Sequence, residues 1–101
     1  MDPKQIQEMM VRAQEMQQQM QKKMRDTQVE SSVGGGAVVV RMNGEKVIQS
    51  VKIDKDAAVD VEMLQDLILA AVNEAARKAD AEAKNQLGGM LGNMGVPPGM
   101  F

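Results

Sequence analysis

The 101-residue chain has no cysteine, histidine, tryptophan or tyrosine, and Phe101 is its one aromatic residue. Without Cys and His there is no zinc site of the usual kinds, no thiol nucleophile and no imidazole base. No disulfide can form, so nothing points to an oxidising compartment. A single aromatic residue leaves no platform on which to stack unpaired bases. Three serines and one threonine remain as hydroxyl nucleophiles, and no base is at hand to activate them. The acidic pairs Asp54/Asp56 and Asp60/Glu62 do not have the spacing of a calcium loop. Helix capping and solvation account for them. No catalytic residue, metal site or cofactor is expected.

Long apolar runs are also missing. Within a helical pattern the longest is Leu67 to Val72, far short of a bilayer span. Met1-Asp2-Pro3-Lys4-Gln5 leads into no apolar stretch of the signal-peptide kind. The expected location is therefore the cytoplasm. Basic charge of domain size is absent as well: 12 Lys and Arg face 14 Asp and Glu, for a net charge of −2. What is present is a globular fraction of apolar residues, 44%, supplied by aliphatics and eleven methionines.

Residues 3–27 read as one helix. Pro3 suits its first turn and Asp2 its cap. Ile6, Met9, Ala13, Met16 and Met20 recur by threes and fours as a heptad stripe, widened by Met10 and Met24. Such a stripe can pack against an irregular surface or a second copy of itself, and it reads first as a core-packing face. At Val29 the period changes to two. Gly34-Gly35-Gly36 marks a turn, since a strand follows it and no phosphate-loop helix does. The Val-rich run from Ala37 to Met42, the Asn43-Gly44 hairpin signal and a return strand from Lys46 to Ile53 complete a three-stranded meander. Parity places Val38, Val40, Met42, Val47, Val51 and Ile53 on one face. Val39, Arg41, Lys46, Ile48, Ser50 and Lys52 fall on the other. Asp60 then caps a second helix with apolar residues from Val61 through Leu64, Leu67, Ile68, Ala71, Val72, Ala75 and Ala79 to Ala83. Gly88 is placed to stop it.

The fold class expected is α+β: long helix, three-stranded antiparallel sheet, long helix. Residues 1–87 form a single α-β-β-β-α domain, and residues 88–101 form a flexible tail rich in Gly, Met and Pro. Two such helices exceed the body of a 100-residue domain, and the sheet shows Val39 and Ile48 on its second face. Both features predict a homodimer.

The remaining functional signal is basic. Lys4 and Lys22 share an azimuth opposite the Met stripe, with Arg12 and Lys23 beside them. Arg77 and Lys84 lie opposite the apolar stripe of the second helix, with Lys78 nearby. Residues of this kind either keep a helix face solvated, which the acidic net charge favours, or neutralise phosphates from rigid arms, in which case these seven are the candidate DNA contacts. Arg41, Lys46 and Lys52 are the alternative surface.

The segment Gly34-Gly-Gly-Ala-Val-Val-Val-Arg-Met-Asn-Gly44, followed by Val47-Ile-Gln-Ser-Val-Lys-Ile-Asp54, resembles the YbaB/EbfC family of bacterial nucleoid-associated proteins. So do Glu62-Met-Leu-Gln-Asp-Leu-Ile-Leu-Ala-Ala-Val-Asn-Glu-Ala-Ala-Arg-Lys78, the Gln/Met-rich first helix and the Pro-Pro-Gly-Met-Phe ending. The resemblance spans nearly the whole chain. It implies a tweezer-like homodimer whose long helices project from a shared β platform. It also implies DNA binding within the nucleoid, with effects on DNA organisation and gene expression, and no enzyme activity. The acidic balance instead suits a second class of function: a dimeric protein-interaction accessory to replication or recombination machinery, with little direct DNA binding.

Overall fold

The structure, a computed structural model, describes residues 2–93, with side chains through Gly89. Helix α1 (Pro3–Asp26) leads into strands β1 (Gln28–Val33), β2 (Val38–Asn43) and β3 (Ile48–Ile53). A short 3-10 turn (Ala57–Val59) precedes helix α2 (Val61–Asn93). The sheet is antiparallel in the order β1-β2-β3. The α+β class and the order of elements agree with expectation.

The caps are the ones the sequence offers. Asp2 accepts from the Lys4 amide at 3.2 Å, and Asp60 accepts from the Met63 amide at 3.1 Å. Each satisfies an amide that the first turn leaves free. The three consecutive glycines take positive φ values of 63°, 67° and 92°, which only glycine adopts without steric cost. They turn the chain between β1 and β2. Gly34 also stands against Leu67 of α2, whose Cδ2 would lie 3.1 Å from an added Cβ.

The core is one small layer. Val38, Val40 and Met42 of β2 pack on Ala71, Ala75 and Ala79 of α2, all essentially inaccessible to water. Val29 and Val33 of β1 and Leu64, Leu67, Ile68 and Val72 of α2 close its margins. Alanines four residues apart form a smooth helix face that approaches the sheet closely. Buried Ser31 follows that closeness: its hydroxyl donates to the Ala71 carbonyl at 2.6 Å.

Four features depart from the sequence reading. First, α2 passes through Gly88 and Gly89 and ends at Asn93. Glycine weakens a helix by about 1 kcal/mol relative to alanine without forbidding it, and neither residue takes a positive φ. The rest of the expected tail, residues 94–101, lies outside the described residues. Second, the β2–β3 hairpin is wider than a two-residue Asn-Gly turn. Asn43 pairs with Val47 across Gly44, Glu45 and a left-handed Lys46 (φ 65°), and the Asn43 side chain accepts from the Glu45 and Val47 amides. The return strand therefore begins at Ile48, not at Lys46.

Third, the pairing shifts between Arg41/Ser50 and Met42/Ile48. This bulge moves Ile48 onto the face of Val51 and Ile53, where Val47 had been expected, because one extra residue reverses parity. Fourth, α1 has no buried residue. Among the described residues its Met stripe is uncovered except at the root, where Met24 lies against Gly44. The chain accordingly extends 68 × 26 × 16 Å with a radius of gyration of 19.2 Å, against about 13 Å for a compact chain of this length.

What fixes α1 is its root. The Thr27 hydroxyl donates to the Lys23 carbonyl at 2.6 Å and accepts from Gln86 Nε2 of α2 at 2.7 Å. The Gly44 amide donates to the carbonyls of Met24 and Thr27 at 2.9 and 3.0 Å. A Cβ on Gly44 would stand 2.7 Å from the Met24 carbonyl oxygen, closer than contact allows. Gly44→Ala is expected to cost about 1–3 kcal/mol by forcing this junction apart, visible as a fall in melting temperature. Gly89→Ala, with open space around it, is expected to leave melting unchanged or raise it.

Candidate nucleic-acid interface

The seven candidate cations are all exposed, but they are not equivalent. Lys4 and Arg12 line one shallow groove of α1, together with Glu8 and Glu15. Lys23 borders a second groove beside Met16, Gln19 and Met20. Lys22 lies in the last turns of the same helix. Arg77 and Lys84 stand on α2, separated by two helical turns. None of these six makes an ion pair among the described residues.

Lys78 differs. Its ammonium donates to the Glu30 carbonyl of β1 at 2.8 Å and pairs with Glu74 one turn earlier at 3.5 Å. β1 is an edge strand, so this carbonyl has no strand neighbour on that side. Lys78 ties α2 to the open edge of the sheet. The alternative surface is largely neutralised as well. Arg41 pairs with Glu30 across the strands at 3.3 Å, and Lys46 reaches Asp80 of α2 at 2.8 Å. Only Lys52 of that set is left without an ion pair among the described residues. Lys55, which the sequence reading did not single out, is also exposed and unpaired there. It sits between Asp54 and Asp56.

Placement of the acids matters more than their number. Residues 54–66 hold Asp54, Asp56, Asp60, Glu62 and Asp66 against Lys55 alone. The rest of the chain is therefore net +2 although the whole is −2. The acidic segment follows β3 at the end of the sheet where Ile53 pairs with Val38, and the Asp54 amide donates to the Ala37 carbonyl there. α1 and the C-terminal half of α2 meet at the other end, through Thr27 and Gln86. A six-residue strand separates the two ends by about 20 Å. That exceeds the screening length of about 8–10 Å at physiological salt. Lys22, Lys23, Arg77 and Lys84 thus belong to a helical end whose field the distal acids scarcely reach.

The sheet face under α2 carries a second kind of surface. α2 covers β1 and β2 but leaves β3 open: Ile48, Val51 and Ile53 are 45%, 44% and 42% exposed on the covered sheet's own face. Lys78 faces β1 and Asp80 faces the β2–β3 loop. The helix flank near Asp80 therefore borders β3, and it carries Leu69, Val72 and Ala76. The apolar area lies beside the helix and not on the outer sheet face. There Val39 is half-buried among Ser32, Lys52 and the Glu30–Arg41 pair.

A family model described as the YbaB/EbfC DNA-binding family matches residues 2–94. The chain belongs to that family. A protein of Acidobacterium capsulatum named a nucleoid-associated protein is 48% identical over the full length of both chains. One of Koribacter versatilis, with the same description, is 48% identical over 91% of this chain and 93% of its own. A crystal structure of an uncharacterised Helicobacter pylori protein superposes with a TM-score of 0.77 at 28% identity, covering 90% of this chain and 98% of that one. The chain is thus a member of a DNA-binding family whose named relatives are nucleoid-associated. Among the described residues no helix is long and apolar enough to cross a membrane, and no cluster of acidic residues could hold a metal ion.

The two uses of lysine on α2 can be told apart. Lys78→Ala is expected to lower stability by about 1 kcal/mol, by removing a hydrogen bond from a charged donor. Lys84→Ala is expected to change it by less than about 0.5 kcal/mol. Chemical denaturation of the two variants side by side checks this.

Proposed function

We propose that the chain binds DNA as a homodimer, through phosphate contacts made by Lys4, Arg12, Lys22, Lys23, Arg77 and Lys84. The observation that carries the reading is the separation of charge. The unpaired cations stand on α1 and the outer side of α2, while the acidic surplus sits a strand's length away. Membership of a DNA-binding family supports the same partner. Lys78 serves chiefly to hold α2 on β1 and is a minor contact at most.

With six cations on rigid helices and no aromatic side chain among the described residues, binding reads the phosphate backbone and carries little base specificity. Its strength falls in the non-specific range, about 10⁻⁴ to 10⁻⁶ M at physiological salt, for one dimer acting alone. Bound dimers would change the path of the duplex by what they hold together, which suits a nucleoid protein that organises DNA.

The dimer is inferred from the open β3. Ile48, Val51 and Ile53, with the neighbouring flank of α2, form an apolar strip that a second copy covers by placing its own strip against it. Such a contact leaves both α1 helices projecting from a shared sheet platform.

Two measurements test these statements. Replacing Lys4, Lys22, Arg77 and Lys84 together by Gln is expected to weaken DNA binding. It should also make the slope of log K against log salt shallower by about 0.9 for each phosphate that is no longer neutralised, with melting nearly unchanged. A parent protein that fails to bind DNA even at low salt would hand the function to the protein-interaction reading. Val51→Lys is expected to convert the sheet-mediated dimer to monomer at dilute concentrations in light scattering. A variant that stays dimeric there places the contact elsewhere.

A further inference from the structure

α1 is a 24-residue helix with a continuous apolar stripe and no buried residue. Ile6, Met9 and Met16 are 45%, 55% and 41% exposed. Among the described residues the helix touches the rest of the subunit at its last turn, where Met24 lies against Gly44 and Arg25 pairs with Glu45. In heptad terms Ile6, Ala13 and Met20 are a positions, and Met9, Met16 and Lys23 are d positions. The seam beside them is nearly free of charge, with Met10, Gln17 and Met24 on one side and Gln5, Arg12, Gln19 and Asp26 on the other. Met16, Gln19, Met20 and Lys23 ring a shallow depression on the helix. These four are the d, g, a and d positions that make the hole of a knobs-into-holes contact.

We propose that this stripe is a second self-association surface, and that its occupant is α1 of another copy lying antiparallel. Lys23 decides the orientation. In a parallel pair it would face Lys23 of the second copy across the seam, like charge against like. In an antiparallel pair centred between Gln14 and Glu15, Lys23 stacks over Ile6 of the second copy, one turn from its Asp2. Met9 of that copy enters the depression around Met20, and Ala13 faces Met16. Gln5 meets Asp26, and Arg12 meets Gln19, so no like charges oppose each other. Lys4 and Lys22 point away from the seam and stay free for phosphate, whereas Lys23 and Arg12, phosphate contacts of the single dimer, are drawn into the seam when dimers associate.

This contact is distinct from the sheet-mediated dimer, on which the proposal rests and to which it adds. In the antiparallel pair the two Thr27 residues lie roughly 38 Å apart along the helices, at 1.5 Å per residue. The two sheets then sit at opposite ends, and their β3 strips cannot meet. One chain therefore carries two two-fold contacts on separate axes. Together they link dimer to dimer, so that several phosphate-binding units act as one. The contact is short and built mainly of Met, so it assembles at high local concentration, as on DNA.

The natural absence of cysteine gives a clean test. Ala13→Cys and Met16→Cys are made as single variants, distinguished by mass, mixed and oxidised with and without DNA. The expected product is the mixed 13–16 disulfide, enriched by DNA. Predominance of 13–13 and 16–16 products would overturn the antiparallel pairing. No cross-link under either condition would overturn the surface itself. Met9→Glu with Met16→Glu is expected to remove species larger than a dimer in sedimentation and leave both dimer and helix content intact. A monomer would mean that α1 carries the sole subunit contact, which also overturns the proposal. Val51→Lys separates the two contacts: it is expected to abolish assembly beyond a pair and still yield the mixed disulfide.

Discussion

Everything in this fold follows from how closely an alanine face lets a helix sit on a sheet. Ala71, Ala75 and Ala79 present only methyl groups, so α2 lies near enough to β1 and β2 for a serine hydroxyl to reach a helix carbonyl. That closeness makes a dry core out of few atoms, but one that is two strands wide. A single helix cannot also cover the third strand. The exposed β3 strip is the geometric remainder of the alanine contact. A bulkier helix face would have stood farther off and presented a different remainder.

α1 is the other remainder. A core filled by one helix has no place for a second, so α1 is fastened at its root and left bare along its length. The fastening is polar and local: a threonine cap, a glutamine from α2 and the amide of Gly44. Such a junction sets direction without burying much surface. The helix becomes an arm, and its two sides acquire separate uses. Lysines lie at one azimuth and largely exposed methionines at the other, the face we propose for self-association. Methionine suits a face that must accept a surface from outside, because its unbranched thioether adapts to shapes it was not folded against.

Much of this was legible in the residues. Both helices, both N-caps, the glycine turn and the covered face of β2 came from periodicity and capping chemistry, which act locally. What escaped was set by neighbours. The bulge opposite Met42 depends on how the hairpin closes around Asn43, and it moved Ile48 to the other face. The bareness of α1 could not be read from its stripe, since an amphipathic helix looks the same whether its partner lies in its own chain or in another. Six of the seven candidate cations stand free of ion pairs among the described residues. The seventh, Lys78, was claimed by a strand carbonyl distant in sequence. Pattern alone could not show that.

The charge balance shows why a count misleads where a map does not. By net charge an acidic chain is a poor ligand for a polyanion, yet Coulomb forces in salt act over about one screening length. The four ion pairs among the described residues remove equal numbers of each sign, and they tie Arg25, Arg41, Lys46 and Lys78 to acids of the same subunit. The acids from Asp54 to Asp66 cluster at the turn into α2, where Asp60 caps the helix and Glu62 favours its dipole. Their position follows from the needs of that helix start. What is left at the opposite end is a pair of helices with lysines and arginines unpaired among the described residues, the surface we propose for the duplex. On that proposal the acids behind it repel DNA from the sheet's far edge, and so would favour an approach with the arms toward the phosphates.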